Sequence, residues 1–102
     1  MEIVFHPEVK EDIEELDGSI KKRLKKTLKK IKRAPSLGKP LGNRGDIDLS
    51  DCLKTYFARK KYRVVYELLD DEKIIIWSVG KREAEVVYVN AYKRILKEEG
   101  EK

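Results

Sequence analysis

Lys54 and Tyr56 alternate with apolar residues in one segment, Arg63 lies near the start of the next, and Lys81 and Arg82 follow the end of a third. Lysine and arginine side chains held by rigid elements bring positive charge and several N–H donors to an anionic group, and can stabilise negative charge that builds up there. They are poor at moving protons near neutral pH, because both titrate far above it. His6 is the single histidine and stands beside Pro7, so an acid–base centre built from two histidines is excluded. Asp46, Asp48 and Asp51 are the acidic grouping that could suggest a metal. Turn and cap chemistry accounts for them and no histidine or further acidic cluster completes a site, so neither metal nor cofactor is expected.

The strands that must position these cations can be read from the pattern. Residues 74–79 form a nearly unbroken apolar, β-branched and aromatic run, as in a strand buried on both faces. The composition then switches to Gly80-Lys81-Arg82-Glu83, where Gly80 is expected to permit a sharp change of direction. Residues 52–58, 62–69 and 73–79 read as three strands. The connections Arg59-Lys60-Lys61 and Asp70-Asp71-Glu72 are of hairpin length, which predicts an antiparallel meander. Alternation places Leu53, Thr55 and Phe57 on one side, with Lys54 and Tyr56 on the other. In the next strand Tyr62, Val64, Tyr66 and Leu68 oppose Arg63, Val65 and Glu67. The apolar sets belong beneath helices, so Lys54, Tyr56 and Arg63 are expected on an open face near the rim where Lys81 and Arg82 emerge.

Ile3-Val4-Phe5 predicts a short first strand, stopped by His6-Pro7. Val9, Ile13, Leu16, Ile20, Leu24, Leu28 and Ile31 keep helical spacing, predicting amphipathic helices over about 7–16 and 20–32, with Gly18 as the stop and Ser19 as the next N-cap. Residues 34–50, with two prolines and three glycines, are expected to form a connection with little regular structure. Val87, Ala91 and Ile95 predict a terminal helix over about 84–99 with a polar, frayed tail over 97–102. The expected fold is a single α+β domain over residues 1–102. It has a small four-stranded sheet, antiparallel or mixed, with a helix hairpin on one face and a C-terminal helix.

Charged residues make up 42% of the chain and the net charge is +5, which favours anionic partners, nucleic acid foremost. Nothing resembles a signal peptide or a membrane span. Cys52 is the single cysteine, so an intrachain disulfide is excluded and a reducing cytoplasm is suited. The helix charges segregate. The first helix carries Glu8, Glu11, Asp12, Glu14 and Glu15; the second carries Lys21, Lys22, Arg23, Lys25, Lys26, Lys29, Lys30, Lys32 and Arg33 and no acid. Pairing with the first helix should neutralise part of this charge, but nine cations exceed five carboxylates. The surplus, including Lys22, Lys26 and Lys29, reads as a surface for an RNA backbone.

Tyr62-Arg63-Val64-Val65-Tyr66, an acidic turn, an apolar strand, Ser78-Val79-Gly80-Lys81-Arg82-Glu83, Tyr88 and Lys93-Arg94-Ile95-Leu96 resemble the RelE toxins of the RelE/ParE superfamily. The detailed resemblance spans about residues 52–96. It implies the toxin of a type II toxin–antitoxin system: a metal-free endoribonuclease that cuts messenger RNA in the ribosomal A site. The 2′-hydroxyl attacks the adjacent phosphate and the 5′-oxygen leaves. Carried over to this chain, the resemblance assigns Lys54 to activating the nucleophile and Arg63 to the phosphate. It assigns Arg82 to the leaving oxygen, and Tyr88 to holding or stacking on the nucleotide. Tyr56, Lys60, Lys61 and Lys81 are expected to contact RNA. The family pattern has a second lysine where this chain has Tyr56, which supplies no positive charge, so Tyr56→Lys is expected to raise the cleavage rate. The implied partners are the ribosome with its message and a RelB-like antitoxin, acidic and partly disordered, that covers or displaces the terminal helix. No membrane partner is implied. The toxin alone is expected to be monomeric, and heteromeric with its antitoxin, in the cytoplasm. The alternatives are a ParE-like poison of a topoisomerase and a simple RNA-binding module. The cations at 54, 63 and 82 together with Tyr88 favour the nuclease.

Overall fold

The computed structural model describes residues 1–70 and 72–100. Asp71 of the expected acidic turn and residues 101–102 of the expected tail lie outside the described residues. Five strands, β1 (Glu2–Phe5), β2 (Lys39–Arg44), β3 (Ile47–Phe57), β4 (Tyr62–Leu68) and β5 (Lys73–Lys81), form one mixed sheet in the order β1-β5-β4-β3-β2. The meander β3-β4-β5 is antiparallel as expected, and β1 joins it in parallel with Ile3 opposite Ile74. Helices α1 (Val9–Glu14) and α2 (Gly18–Arg33) cover one face, and α3 (Val86–Gly100) covers the other.

The face assignment holds. Phe57, Val64 and Tyr66 pack with Val9, Leu24 and Ile31 of the helix hairpin. Val65 faces the other way, into a second core with Cys52, Trp77, Val87, Tyr88 and Ala91. That second core corrects one expectation. The face of Lys54, Tyr56 and Arg63 is open only at its rim, because α3 buries an apolar stripe over the rest of it.

Four local expectations also change. Residues 39–44 form a strand, so the sheet has five strands where four were expected, and β3 begins at Ile47. Pro40 is tolerated because β2 is an edge strand, and a bulge between Pro40 and Gly42 absorbs the irregularity. Helix α1 is six residues long, with the Val9 N–H donating to the His6 carbonyl at 2.9 Å. Gly18 does not stop it but opens α2, whose N-cap is Asp17 in extended conformation (φ −62°, ψ 157°). Gly80 turns nothing: it lies within β5 opposite Arg63, and the chain leaves the strand at Arg82.

One device holds the two faces together. β1 ends at Phe5, which leaves the outer edge of β5 bare beyond Ile76. Asp12 of α1 and Arg94 of α3 meet over that edge. Arg94 Nη1 and Nη2 donate to the Asp12 carboxylate at 2.7 and 2.9 Å. The same carboxylate accepts the Val79 N–H at 3.0 Å, and Arg94 Nη1 donates to the Trp77 carbonyl at 2.9 Å. Two side chains thus supply the hydrogen bonds a further strand would have made. Among the described residues no helix is long and apolar enough to cross a membrane.

Candidate active site

Antiparallel register brings the expected residues together. Tyr56 of β3 lies directly opposite Arg63 of β4, and Lys54 lies opposite Val65 one pleat away. From β2, Lys39 pairs with Lys54. Alternation puts these side chains on the α3 face, where the first turns of α3 deliver Tyr88. Tyr56 is half-buried, and three cations approach its ring. Lys54 Nζ is 5.3 Å, Lys39 Nζ 6.0 Å and Arg63 Cζ 5.1 Å from the ring centroid. A hydrogen bond from Lys54, and then the charges of Lys54, Arg63 and Arg82, hold the Tyr56 phenol below the ordinary tyrosine range.

Arg63 is 7% exposed. Its guanidinium carbon lies 4.8 Å from the Tyr88 ring centroid, and its Nη1 donates to the Tyr88 hydroxyl. Among the described residues, none accepts a hydrogen bond from its Nε. Among the described residues no carboxylate pairs with it. Arg94 is equally buried and holds Asp12 with both terminal nitrogens. A buried cation is costly unless it is paired, and aromatic faces offset only part of the cost. Arg94 is therefore a structural cation, whereas Arg63 is a buried cation that no carboxylate among the described residues neutralises.

At the rim, Arg82 is exposed, and its backbone N–H donates to the Lys61 carbonyl at 2.9 Å. That bond ties the exit of β5 to the β3–β4 turn. The turn is strained: Ala58, Arg59 and Lys60 all adopt left-handed backbone (φ 52°, 59° and 66°), a region that residues other than glycine enter at a cost. Arg59, Lys60 and Lys61 line a groove together with Tyr62, Lys81, Arg82 and Glu83.

Lys54, Tyr56, Arg63 and Tyr88 are thus brought together, with Arg82, Lys60, Lys61 and Lys81 along one rim. Lys22, Lys26 and Lys29 are not part of this arrangement; they are exposed on α2, across the sheet. Tyr88 needs a correction as well. It is 1% exposed, with its ring covered by Arg44 (Cζ at 4.5 Å), Arg63 and Lys54, so in this arrangement it cannot stack on a base. Tyr56 is the ring available for that. Sequence reasoning missed Lys39 and Arg44, the latter ion-paired to Glu85 at 2.6 Å. Both stand on β2, whose Pro40 and Gly42 hide its strand character in the sequence. Asp46 lies in the β2–β3 turn, whereas Asp48 lies in β3, where its Oδ1 accepts the Ser50 N–H at 3.0 Å.

Residues 3–86 match the family described as ParE toxin of type II toxin-antitoxin system, parDE. The mRNA interferase toxin RelE of Escherichia coli (strain K12) is 37% identical over 83 residues, covering 79% of this chain and 82% of that protein. The mRNA interferase RelE of Shigella flexneri matches to the same extent. Among solved structures, a double arginine-to-alanine mutant of E. coli toxin RelE in the free state superposes with a TM-score of 0.74 at 31% identity, covering 92% of this chain and 96% of that one. The intact E. coli RelBE toxin–antitoxin complex gives 0.62 at 27% identity, covering 80% and 96%.

Proposed function

The chain belongs to the RelE family of the RelE/ParE toxin superfamily, and on that premise we propose that it is the toxin of a type II toxin–antitoxin system, an endoribonuclease that cuts messenger RNA on the ribosome in the cytoplasm. The observation that carries this reading is Arg63, a buried guanidinium with two aromatic neighbours and, among the described residues, no carboxylate partner, opposite Tyr56 and beside Lys54. A scissile phosphate supplies the missing anion. The 2′-oxygen attacks phosphorus and the 5′-oxygen leaves. Arg63 stabilises the charge that builds on the non-bridging oxygens, Lys54 stands at the nucleophile, and Arg82 stands at the leaving oxygen. Tyr88 holds Arg63 in place through its hydroxyl. The rim cations Lys60, Lys61 and Lys81 take flanking phosphates, and the ribosome supplies the orientation that a small open site does not.

The partner that restrains this activity is a RelB-like antitoxin. An acidic, partly disordered segment suits a chain with a net charge of +5. To displace α3 it must break the Asp12–Arg94 clamp. The toxin without it is monomeric.

Single-turnover cleavage of ribosome-bound message tests the reading. Wild type should break the message within codons. Arg63→Ala, Lys54→Ala and Arg82→Ala should each slow cleavage about a hundred- to a thousand-fold, with Arg82→Ala and Lys54→Ala leaving the folded spectrum intact. A wild-type protein that leaves the message whole while trapping a topoisomerase on DNA would move the assignment to the ParE branch.

A further inference from the structure

Resting on the nuclease reading, we propose that Tyr56 is the catalytic proton acceptor, its phenolate taking the proton of the attacking 2′-hydroxyl. Nucleophile activation requires a base, and the site offers few. Arginine never gives up its proton in a protein. The Tyr88 hydroxyl is buried against Arg63. Lys54, with its Nζ 5.3 Å from the Tyr56 ring centroid, serves as a donor toward that phenol. Tyr56 is left, half-buried and directly opposite Arg63.

The charges around it come from every neighbouring element. Lys39 reaches it from β2, Lys54 from β3 and Arg63 from β4, and Arg82 adds its charge from beyond β5. On the α3 side stand the Tyr88 hydroxyl, which accepts from Arg63, and the Glu85 carboxylate, which is paired with Arg44. The balance is strongly cationic, which favours the phenolate over the phenol. The same cations, gathered for a phosphate, therefore also generate the base.

In the step, the proton of the 2′-hydroxyl passes to the Tyr56 oxygen, and the 2′-oxygen forms its bond to phosphorus. The bond from phosphorus to the 5′-oxygen breaks, its electron pair stays on that oxygen, and the oxygen takes a proton from water. The products are a 2′,3′-cyclic phosphate and a 5′-hydroxyl, and Tyr56 returns its proton to solvent. No other reactant is consumed.

Tyr56→Phe is the discriminating variant, because it keeps the ring for packing and stacking and removes only the oxygen. Single-turnover cleavage should be followed across pH for wild type, Tyr56→Phe and a chain carrying fluorotyrosine at position 56. The wild-type rate should rise with pH and level off below the ordinary tyrosine value of about 10. Tyr56→Phe should be slower by about a hundredfold or more and lack that rise. Fluorotyrosine should shift the rise to lower pH. Cleavage by Tyr56→Phe at the wild-type rate overturns the proposal and leaves the nuclease reading standing. Absorbance titration of wild type against Tyr56→Phe reads the same phenol without RNA. Ionisation at or above the ordinary value overturns the proposal whatever the cleavage assay shows, whereas a wild type that cleaves nothing overturns the nuclease reading and this proposal with it.

Discussion

Two arginines with the same burial do different work, and only one difference separates them. Arg94 meets Asp12 and closes a strand edge; Arg63 meets rings and, among the described residues, no carboxylate. Alternation along β4 could place Arg63 on the correct face, because side-chain direction has a period of two. It could not reveal the burial, since that depends on α3 arriving overhead and on Arg44 crossing Tyr88 from a strand the sequence disguised. The surroundings of Tyr56 were only partly legible for a related reason: alternation places Lys54 and Arg63 beside it, whereas Lys39 approaches from β2, a strand the sequence disguised. Cys52 shows the converse case, an inert group. Burial, followed by the charges of Glu67, Asp51 and Asp48, pushes its thiol from 9.0 up to about 12. Between these values the unfolded chain releases the proton that the folded chain retains, so stability should fall as pH rises from about 9 toward 12. The slope approaches about 1.4 kcal/mol per pH unit. Denaturant titrations of wild type and Cys52→Ala at successive pH values should diverge in this window, and a thiol reagent at pH 8 should label Cys52 only after unfolding.

At the scale of elements, the meander and both helix faces were legible because hydrophobic periodicity encodes them locally. β2 was not. Pro40, Gly42 and Gly45 are breakers in any central strand, and only the sheet order, which puts β2 at an edge, makes them harmless. The clamp over β5 was equally invisible, since Asp12 and Arg94 are 82 residues apart. Asp12→Ala should cost about 3–5 kcal/mol by leaving Arg94 buried and unpaired, which a shift in denaturant midpoint would register. The β3–β4 turn makes the opposite prediction. Lys60 sits at φ 66°, where glycine fits without strain. Lys60→Gly should therefore stabilise the fold by about 1 kcal/mol while weakening RNA binding, because a rim cation is lost. Lys60→Ala is the control: it removes the charge and retains the strain, so it should weaken binding with no gain in stability. A Lys60→Gly protein no more stable than wild type would mean the turn is not strained at this position.

At the scale of the molecule, the sheet separates two cationic surfaces, the site at the α3 rim and the face of α2. The first helix was expected to neutralise part of the second. It does not: among the described residues, no α2 cation pairs with an α1 carboxylate, and all nine are exposed. Nine like charges on one helix repel at every i,i+3 and i,i+4 pair. Binding a polyanion such as ribosomal RNA relieves that repulsion. Reversing Lys22, Lys26 and Lys29 to glutamate tests whether such binding occurs there. These positions lie off the buried stripe of Leu24, Thr27 and Ile31, so the fold should survive and the helix gain stability as the repulsion eases. Each lost phosphate contact should flatten the log–log dependence of ribosome affinity on salt by about 0.7–0.9, hence by roughly two units for the triple variant. The reversal also takes the net charge from +5 to −1, which weakens long-range attraction regardless of contact. A second triple reversal, at the exposed Lys10, Lys93 and Lys97, makes the same change in net charge elsewhere. If α2 touches RNA, the first variant loses far more of the salt slope than the second. Equal losses in the two would reduce the basic helix to a source of steering charge, and the binding surface would be the α3 rim alone.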